Sequence, residues 1–374
     1  MDLITIIAQI TSGFTSLYWG NAIMISVGLM LIYLAIAKKY EPVLLLPIGF
    51  GCVLANLGMV ASADGEGFLS VLYRAGISSE LFPLLIFIGI GGMIDFSPLL
   101  AQPKMALLGA AGQFGIFGTL LLATLLGFDL NEAASIGVIG AIDGPTAIYV
   151  TTKLAPELLA PIAVAAYSYM SLVPIIQPPI MKLLTTRKER LIRMEYTPRP
   201  IPKQALIIFP IAVTIIVSLI APTAAPLIAA LMLGNLLKES GVVERLNKAA
   251  QNEIINTATL FLGLTIGATM TAESFLRIDT LMILGLGLLA FILDTAAGLL
   301  FGKIMSFLSG GKINPLIGAC GISAFPMAGR LSAKMAQDED FGNFILMHAM
   351  GSNTAGQLGS VIAGGLLLTL VLAI

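Results

Sequence analysis

Apolar segments long enough to cross a lipid bilayer follow one another along almost the whole chain. Ten such segments are 19–37, 42–60, 81–100, 104–127, 157–184, 204–222, 225–238, 254–275, 280–301 and 343–373. A transmembrane helix needs about 20 mainly apolar residues. Of the 374 residues, 57% are hydrophobic and 11% charged, whereas about a quarter are charged in an ordinary soluble domain. The sequence therefore predicts an all-α integral membrane protein with about ten transmembrane helices.

The remaining composition excludes several classes of function. The formal net charge is −1, so no nucleic-acid partner is expected. A single histidine, His348, excludes a multi-histidine metal centre. Cys52 and Cys320 both lie in apolar runs and are interpreted as small core residues, not as a disulfide or a metal site.

The first 18 residues are amphipathic. Apolar side chains recur there at helical spacing, at Leu3, Ile7, Ile10, Phe14 and Leu17. This pattern predicts a helix over 1–18 that lies in the membrane interface. Tyr18 and Trp19 are the predicted interfacial anchors.

Positive charge is unevenly distributed among the loops. Residues 186–203 hold six Lys or Arg residues. Because cytoplasmic loops are enriched in Lys and Arg, this loop is predicted to be cytoplasmic, and the loops 61–80 and 128–132 then lie outside. The chain must cross the membrane an odd number of times between 128–132 and 186–203, yet two apolar segments, 133–153 and 157–184, lie between them.

The segment 133–153 is the one that is not expected to span. It contains the sequence Asp-Gly-Pro at its middle, and the backbone groups that glycine and proline leave unpaired can be satisfied only in a protein-lined cavity. We predict a re-entrant hairpin here, entering from outside. A further break is expected at GSNTAG, within the last long segment.

An internal repeat relates the two parts of the chain. Residues 136–155 align without gaps to 317–336 at an offset of 181, and seven of the twenty positions are identical. Pro47 and Asn56 similarly meet Pro226 and Asn235, on spans that the charge rule orients in opposite directions. The halves are therefore predicted to be inverted, an arrangement of many secondary transporters.

The predicted domains follow from this repeat. They are an interfacial helix over 1–18, repeat 1 over 19–184 with the hairpin 133–153, a basic cytoplasmic linker over 185–203, and repeat 2 over 204–374 with a second hairpin over 314–333.

Asp143 is the foremost candidate for chemistry. It lies at the centre of the broken apolar segment, where a carboxylate is costly unless it is paired or binds a cation. A cation or proton site is favoured. The alternative is a carboxylate that only caps a helix or a turn at the tip of the hairpin.

The second hairpin offers Asn314, Gly318, Ser323 and Arg330. Asn and Ser oxygens with freed carbonyls are hard ligands that suit Na⁺, although Asn314 also has the position of a helix N-cap. Arg330 lies among small residues, and an intramembrane Arg usually faces a cavity and pairs with an anion. The alternative is an arginine that extends to the interface.

Two further polar residues lie on apolar segments. Tyr169 precedes a proline-rich bend, and Asn353 lies within AMGSNTAGQLGS. Most membrane tyrosines only pack or lie at the interface. Asp294, Asp95 and Gln177 rank lower.

Two long motifs resemble a known family. GAIDGPTAIYVTTKLAPELLAPIAVAAYSYMSLVPIIQPPIMKLLTT and INPLIGACGISAFPMAGRLSAK are similar to the β subunit of the sodium-pumping, biotin-dependent decarboxylases, and the likeness extends over nearly the whole chain. The resemblance implies a subunit that decarboxylates carboxybiotin and exports Na⁺.

The resemblance also implies roles for residues. It assigns catalysis to Asp143, Tyr169 and Arg330, binding of carboxybiotin to Arg330, Asn314 and Gly318, and Na⁺ binding to Asp143, Ser323, Asn353 and Asn314. In this picture Arg330 attracts the carboxylate of carboxybiotin, and Tyr169 relays the proton that decarboxylation consumes.

The partners are likewise implied by the resemblance. They are a biotin carrier protein that supplies carboxybiotin, a cytoplasmic carboxyltransferase α subunit, a small membrane-anchored subunit and further copies of the chain, in a bacterial-type inner membrane. The length favours the glutaconyl-CoA and methylmalonyl-CoA systems over oxaloacetate. A stand-alone Na⁺-coupled carboxylate transporter remains the alternative, and a channel is disfavoured because no pore-lining polar helix is present.

Overall fold

The computed structural model describes residues 17–61, 64–195 and 200–374, and these ranges contain helices and connecting loops but no strand. The all-α class predicted from the sequence is therefore confirmed. The interfacial helix predicted over 1–18 lies almost entirely outside the described residues. Trp19, which begins the first described helix, has 86% of its surface exposed, as expected for an interfacial anchor.

The first half contains ten helices within the described residues. They are α1 (Trp19–Ala37), α2 (Pro42–Ala55), α3 (Phe68–Leu72), α4 (Leu81–Met93), α5 (Ser97–Ala101), α6 (Met105–Ala111), α7 (Phe114–Leu125), α8 (Leu130–Gly137), α9 (Gly144–Leu154) and α10 (Leu159–Leu184). A π-helical turn, Tyr73–Ser78, follows α3, and a 3₁₀ turn, Val138–Ala141, follows α8.

The linker forms one short helix, and the second half follows it. These helices are α11 (Arg187–Arg190), α12 (Lys203–Ile220), α13 (Ala225–Ser240), α14 (Glu244–Ala249), α15 (Ile255–Ala268), α16 (Ala272–Phe275), α17 (Ile278–Leu308), α18 (Met327–Glu339) and α19 (Leu346–Leu372). A 3₁₀ turn, Pro315–Cys320, precedes α18.

Six helical stretches of the described chain are long and apolar enough to cross a membrane. They are Trp19–Ala37, Met105–Leu125, Pro156–Leu184, Lys203–Ile220, Ile278–Leu308 and Leu346–Leu372. The pair Phe68–Ser78 and Leu81–Met93, bent by 59°, would make a seventh. The remaining predicted segments form shorter helices such as α2, which has 14 residues. An integral membrane protein is confirmed, while the count of ten spans stays a prediction.

The break expected at GSNTAG is wrong, because α19 runs without interruption from Leu346 to Leu372. Residues 351–356 are all buried within this helix. They are small residues without a proline, so each keeps a backbone N–H that can take part in the helix. Gly356 instead allows α19 to approach the backbone of Gly321 closely.

Glycine-lined contacts hold two pairs of helices together. α2 packs against α15, and α4 packs against α13. A Cβ atom on Gly267 would overlap the carbonyl of Ile48, and one on Gly234 would overlap the carbonyl of Ile88. Small residues of this kind let helices approach to backbone contact, which is the usual basis of helix packing in lipid.

Two broken segments lie inside this frame. In the first, α8 and its 3₁₀ turn end at Ile142, whose φ of 52° is left-handed, and α9 begins directly after Asp143. In the second, the 3₁₀ turn Pro315–Cys320 ends in an irregular stretch that leads to α18. Both segments are buried against α17 and α19.

Candidate functional site

Asp143 caps α9 and is 4% exposed. Its Oδ2 accepts a hydrogen bond of 2.8 Å from Oγ1 of Thr146, and its Oδ1 lies 3.5 Å from the backbone N of the same residue. In the usual N-cap arrangement, a side-chain oxygen accepts a hydrogen bond from the backbone N–H two or three residues later in the chain. The capping role left open by the sequence is therefore present, but it uses only part of the carboxylate.

The same carboxylate is also contacted from α19. Nε2 of Gln357 donates to Oδ2 of Asp143 over 3.0 Å, and Oγ of Ser360 donates to it over 3.1 Å. Oδ2 thus takes three donors, whereas Oδ1 has one long contact. Asp143 forms no ion pair within the described ranges of the chain. A buried carboxylate without a cationic side chain is suited to a bound cation.

A cavity of about 650 Å³ joins Asp143 to the second broken segment. Ser323 and Arg330 line it together with Asp143, so three of the residues predicted from the sequence share one cavity. Most of the other lining residues are apolar, but Glu41 and Asp95 also line it. Arg330 is exposed and forms no ion pair within the described part of the chain.

Ser323 and Asn353 lie on either side of the contact between the second broken segment and α19. Oγ of Ser323 is 3.4 Å from the carbonyl oxygen of Gly356, and Asn353 donates through Nδ2 to the carbonyls of Cys320 and Ile322 over 3.2 and 2.7 Å. Asn353 is fully buried, and its Oδ1 has no hydrogen-bond partner among the described residues. Asn353 does not itself line the cavity.

Asn314 contacts the linker and does not line the cavity. Its Nδ2 donates to the carbonyls of Arg190 and Ile192 over 3.0 and 2.9 Å, and its Oδ1 accepts from the backbone N of Leu316 over 3.0 Å. The capping role considered from the sequence is present here. Asn343, in the loop between α18 and α19, donates to the same two carbonyls, so the linker is held by the second broken segment and by this loop.

Gly318 and Tyr169 also lie outside the cavity lining. A Cβ atom on Gly318 would overlap the carbonyl of Gly298, so this glycine lets the second broken segment contact α17. The Tyr169 hydroxyl donates to the carbonyl of Leu284, and its ring packs against Gly287 on the same helix. Both residues therefore touch α17.

Sequence reasoning did not identify Thr146, Gln357 or Ser360, although all three bind the Asp143 carboxylate. A signal was present for two of them. Gln357 and Ser360 follow Asn353 by four and seven residues, so the three side chains share one face of α19. Nothing in the sequence connects that face with Asp143.

The donors at the cavity are hard oxygens. The described residues contain no group of three or more His, Cys, Asp or Glu side chains that would hold a transition metal. Asp143 Oδ1 and the Ser323 hydroxyl line the cavity and are of the kind that binds a small hard cation, whereas Asn353 Oδ1 is an oxygen of the same kind outside the lining. The available donors fit Na⁺ as a transported ion.

The sequence model of the Na⁺-transporting oxaloacetate decarboxylase beta subunit matches residues 20–371. The chain belongs to this family. It is 55% identical over 360 residues to the methylmalonyl-CoA decarboxylase subunit beta of Veillonella parvula, covering 96% of this chain and 95% of the relative. It is 54% identical over 360 residues to the glutaconyl-CoA decarboxylase subunit beta of Acidaminococcus fermentans, covering 96% of each.

A third relative acts on a different substrate. The oxaloacetate decarboxylase beta chain of Klebsiella pneumoniae is 48% identical over 415 residues, covering 95% of this chain and 96% of the relative. Membership of this decarboxylase β family confirms the predicted family, the membrane location and the function as the β subunit of a Na⁺-transporting decarboxylase. The stand-alone transporter is not favoured.

Proposed function

We propose that this β subunit decarboxylates carboxybiotin, delivered by a separate biotin carrier, and uses that reaction to export Na⁺. The observation that carries the proposal is the single cavity that joins Arg330 to Asp143 and Ser323. A guanidinium without an internal carboxylate partner attracts the anionic substrate. A buried carboxylate without an internal cation attracts Na⁺.

Asp143, Ser323 and Asn353 supply oxygen ligands to Na⁺ in this proposal. Two observations support it. Oδ1 of Asp143 has only one long contact, of 3.5 Å, and Oδ1 of Asn353 has no hydrogen-bond partner among the described residues. Asn314 and Gly318 act on the same site through the second broken segment. Asn314 fixes that segment to the linker, and Gly318 seats it on α17.

The reaction breaks the bond between carbon and nitrogen in carboxybiotin and releases CO₂. The electron pair of that bond stays on the ring nitrogen, which then takes up a proton. Arg330 holds the departing carboxylate, and Tyr169 relays the proton from its position against α17. CO₂ leaves as a neutral molecule and the proton neutralises the ring nitrogen, so the negative charge that balanced Arg330 is lost and the electrostatics of the cavity change at the moment of coupling.

Two inverted halves give this cavity a way to face either side of the membrane. Matching contacts in the two halves support the internal repeat on which this proposal rests. Nδ2 of Asn56 donates to the carbonyl of Met270 over 2.8 Å, and Nδ2 of Asn235, its partner in the repeat, donates to the carbonyl of Ile94 over 3.1 Å. Each amide thus closes the end of the helix that packs beside it, α15 in one case and α4 in the other.

Export against the membrane potential sets the requirement for coupling. Moving one charge outward against 100 mV costs about 2.3 kcal/mol. The Na⁺-loaded site must therefore face outside only after carboxybiotin has reacted. Movement of the two hairpins relative to α17 and α19 is the proposed means.

Membership of the family supports an assembly of this chain with other subunits. We propose a bacterial inner-membrane complex that contains a biotin carrier protein, a cytoplasmic carboxyltransferase α subunit, a small membrane-anchored subunit and more than one copy of this chain. The alignments favour an acyl-CoA substrate for the complex. Those with the Veillonella and Acidaminococcus subunits extend over 360 residues, whereas that with the Klebsiella chain extends over 415, more than this chain contains.

The test is Na⁺-dependent decarboxylation of free carboxybiotin by the purified complex. Asp143→Asn is expected to abolish the Na⁺ dependence and the export of ²²Na⁺ from vesicles. Asp129→Asn is the matched control, because Asp129 is also an N-cap carboxylate, accepting from Glu132 over 2.8 Å, but lies exposed and outside the cavity lining. Wild-type turnover that ignores Na⁺, or an unimpaired Asp143→Asn pump, would refute the proposal.

A further inference from the structure

Gln113 and Asp294 occupy matching places in the two halves. They are 181 residues apart, the offset of the internal repeat, and so are Gly140 and Gly321. The side chain of Gln113 lies against Gly321 in the second broken segment, and the side chain of Asp294 lies against Gly140 in the first. An amide in one half thus corresponds to a carboxyl group in the other.

The amide of Gln113 acts as a donor to backbone carbonyls. Its Nε2 lies 2.9 Å from the carbonyl oxygen of Gly109, 3.1 Å from that of Gly321 and 3.3 Å from that of Gly356. Gln113 is 4% exposed. Its Oε1 has no hydrogen-bond partner among the described residues, so the position uses the donor of the amide.

The carboxyl group of Asp294 is fully buried and has one donor. Its Oδ1 accepts from the backbone N of Gly115, at the start of α7, and its Oδ2 has no partner among the described residues. A Cβ atom on Gly140 would lie 3.2 Å from that Oδ2, so the oxygen faces the 3₁₀ turn of the first broken segment.

Within the described residues no charged group compensates Asp294. Its own helix carries Asp279 and Lys303 near the two ends, and neither is paired with it. The elements packed on α17 contribute a further set of titratable side chains, Glu132, Tyr167, Tyr169, Lys182 and Cys320. Within the described residues none of these forms an ion pair or a hydrogen bond with Asp294.

We propose that Asp294 is a proton-binding site. Its carboxyl group takes the place of the Gln113 amide, carries a proton on Oδ2 and presents that proton to the turn of the first broken segment. An ionised carboxylate with a single N–H donor and no cation is strongly disfavoured in such a place, whereas the neutral acid has both a donor and an acceptor, as the amide has.

A proton bound to Asp294 is expected to affect the first broken segment. The turn that Oδ2 faces leads within two residues to Asp143. Protonation of Asp294 is thereby coupled to the packing of the first broken segment, which carries Asp143, against α17. This consequence rests on the proposed function, but the presence of the proton does not.

The first test is infrared spectroscopy on the purified complex at neutral pH. The wild type is expected to show the carbonyl stretching band of a protonated carboxylic acid. That band is expected to be lost in Asp294→Asn and kept in Asp143→Asn. A spectrum unchanged by Asp294→Asn would overturn the proposal, and so would a band that disappears when Na⁺ is added, because the site would then bind the metal ion.

The second test is thermal unfolding as a function of pH. Asp294→Asn, which restores an amide like that of Gln113, is expected to unfold at nearly the wild-type temperature at neutral pH and to lose less stability than the wild type at alkaline pH. Asp294→Leu leaves the Gly115 N–H without an acceptor and is expected to unfold earlier. Equal alkaline loss in the wild type and Asp294→Asn would contradict the proposal. Neither test uses decarboxylation, so failure of the proposed function would be seen separately.

Discussion

Nε2 of Gln357 donates a hydrogen bond of 3.0 Å to Oδ2 of Asp143, across 214 residues of sequence. With Ser360, this contact fixes the carboxylate of the first broken segment to one face of α19. Asn353 fixes the second broken segment to the same face. α19 is therefore the element on which the two broken segments meet.

Loss of the Gln357 contact is expected to weaken Na⁺ binding without unfolding the protein. Gln357→Leu leaves Oδ2 of Asp143 with two donors and the carboxylate with a freer orientation, and groups that orient a metal ligand typically contribute about 10–100-fold to affinity. The apparent Na⁺ affinity in carboxybiotin decarboxylation is the measurement. Gln251→Leu is the control, since Gln251 binds Gly92 and Asn247, away from the cavity. Equal Na⁺ affinities in the two variants would argue against the role of Gln357.

Arg330 is expected to determine the binding of the anionic substrate. Arg330→Gln removes the positive charge at the cavity and should raise the KM for free carboxybiotin by roughly tenfold or more, because a charge-assisted hydrogen bond contributes about 1.5–3 kcal/mol. Lys334→Gln removes the same charge one turn later on α18, at an exposed residue outside the cavity lining. A KM that rises equally in both variants would indicate general electrostatics instead of a site.

The sequence contains enough to identify Asp143 and Arg330 but not the cavity that they share. Asp143 is recognisable because Asp-Gly-Pro cannot continue an apolar helix. Its partners Gln357 and Ser360 are not recognisable, because pairing across 214 residues depends on helix packing that no local pattern encodes. The cap at Asn314 is local and was one of the two roles considered from the sequence, whereas its contacts with the linker carbonyls were not predicted.

The fold was predicted to a similar extent. The first span, 19–37, matches α1, because a long apolar run without glycine clusters or proline forms a continuous helix in lipid. The segment 104–127 is divided at Gly112 and Gln113, where the Gln113 side chain turns toward the carbonyls of Gly321 and Gly356 in other elements. Tertiary contacts of this kind decide where a helix stops, and apolar periodicity carries no signal for them.

The inverted topology predicts that matching loops are reached from opposite sides of the membrane. Asn131 and Lys312 are both exposed, near the starts of the first and second broken segments. Asn131→Cys is expected to react with an impermeant maleimide from outside, and Lys312→Cys only from the cytoplasm. The natural cysteines, Cys52 and Cys320, are fully buried and should stay unlabelled. Labelling of both variants from one side would refute the inversion.

Ion pairs between the linker and α18 are expected to make stability depend on acid pH. A hydrogen bond from Arg190 holds the pKa of Glu339 below its ordinary value of 4.5, with a contribution from Arg187. Because the pKa is lowered in the folded chain, the pairing stabilises the protein above the ordinary value and is lost as the pH falls through the lowered one. Thermal unfolding of the purified complex should therefore show a smaller loss below pH 4.5 in Glu339→Gln than in the wild type. Glu244→Gln, which removes a carboxylate paired only with Lys248 at 3.4 Å on its own helix, should leave the acid loss unchanged. An acid loss in Glu339→Gln equal to that of the wild type would show that the Glu339 pairs do not contribute to it and that the linker is held by its other contacts, such as the pair of Arg193 with Asp340.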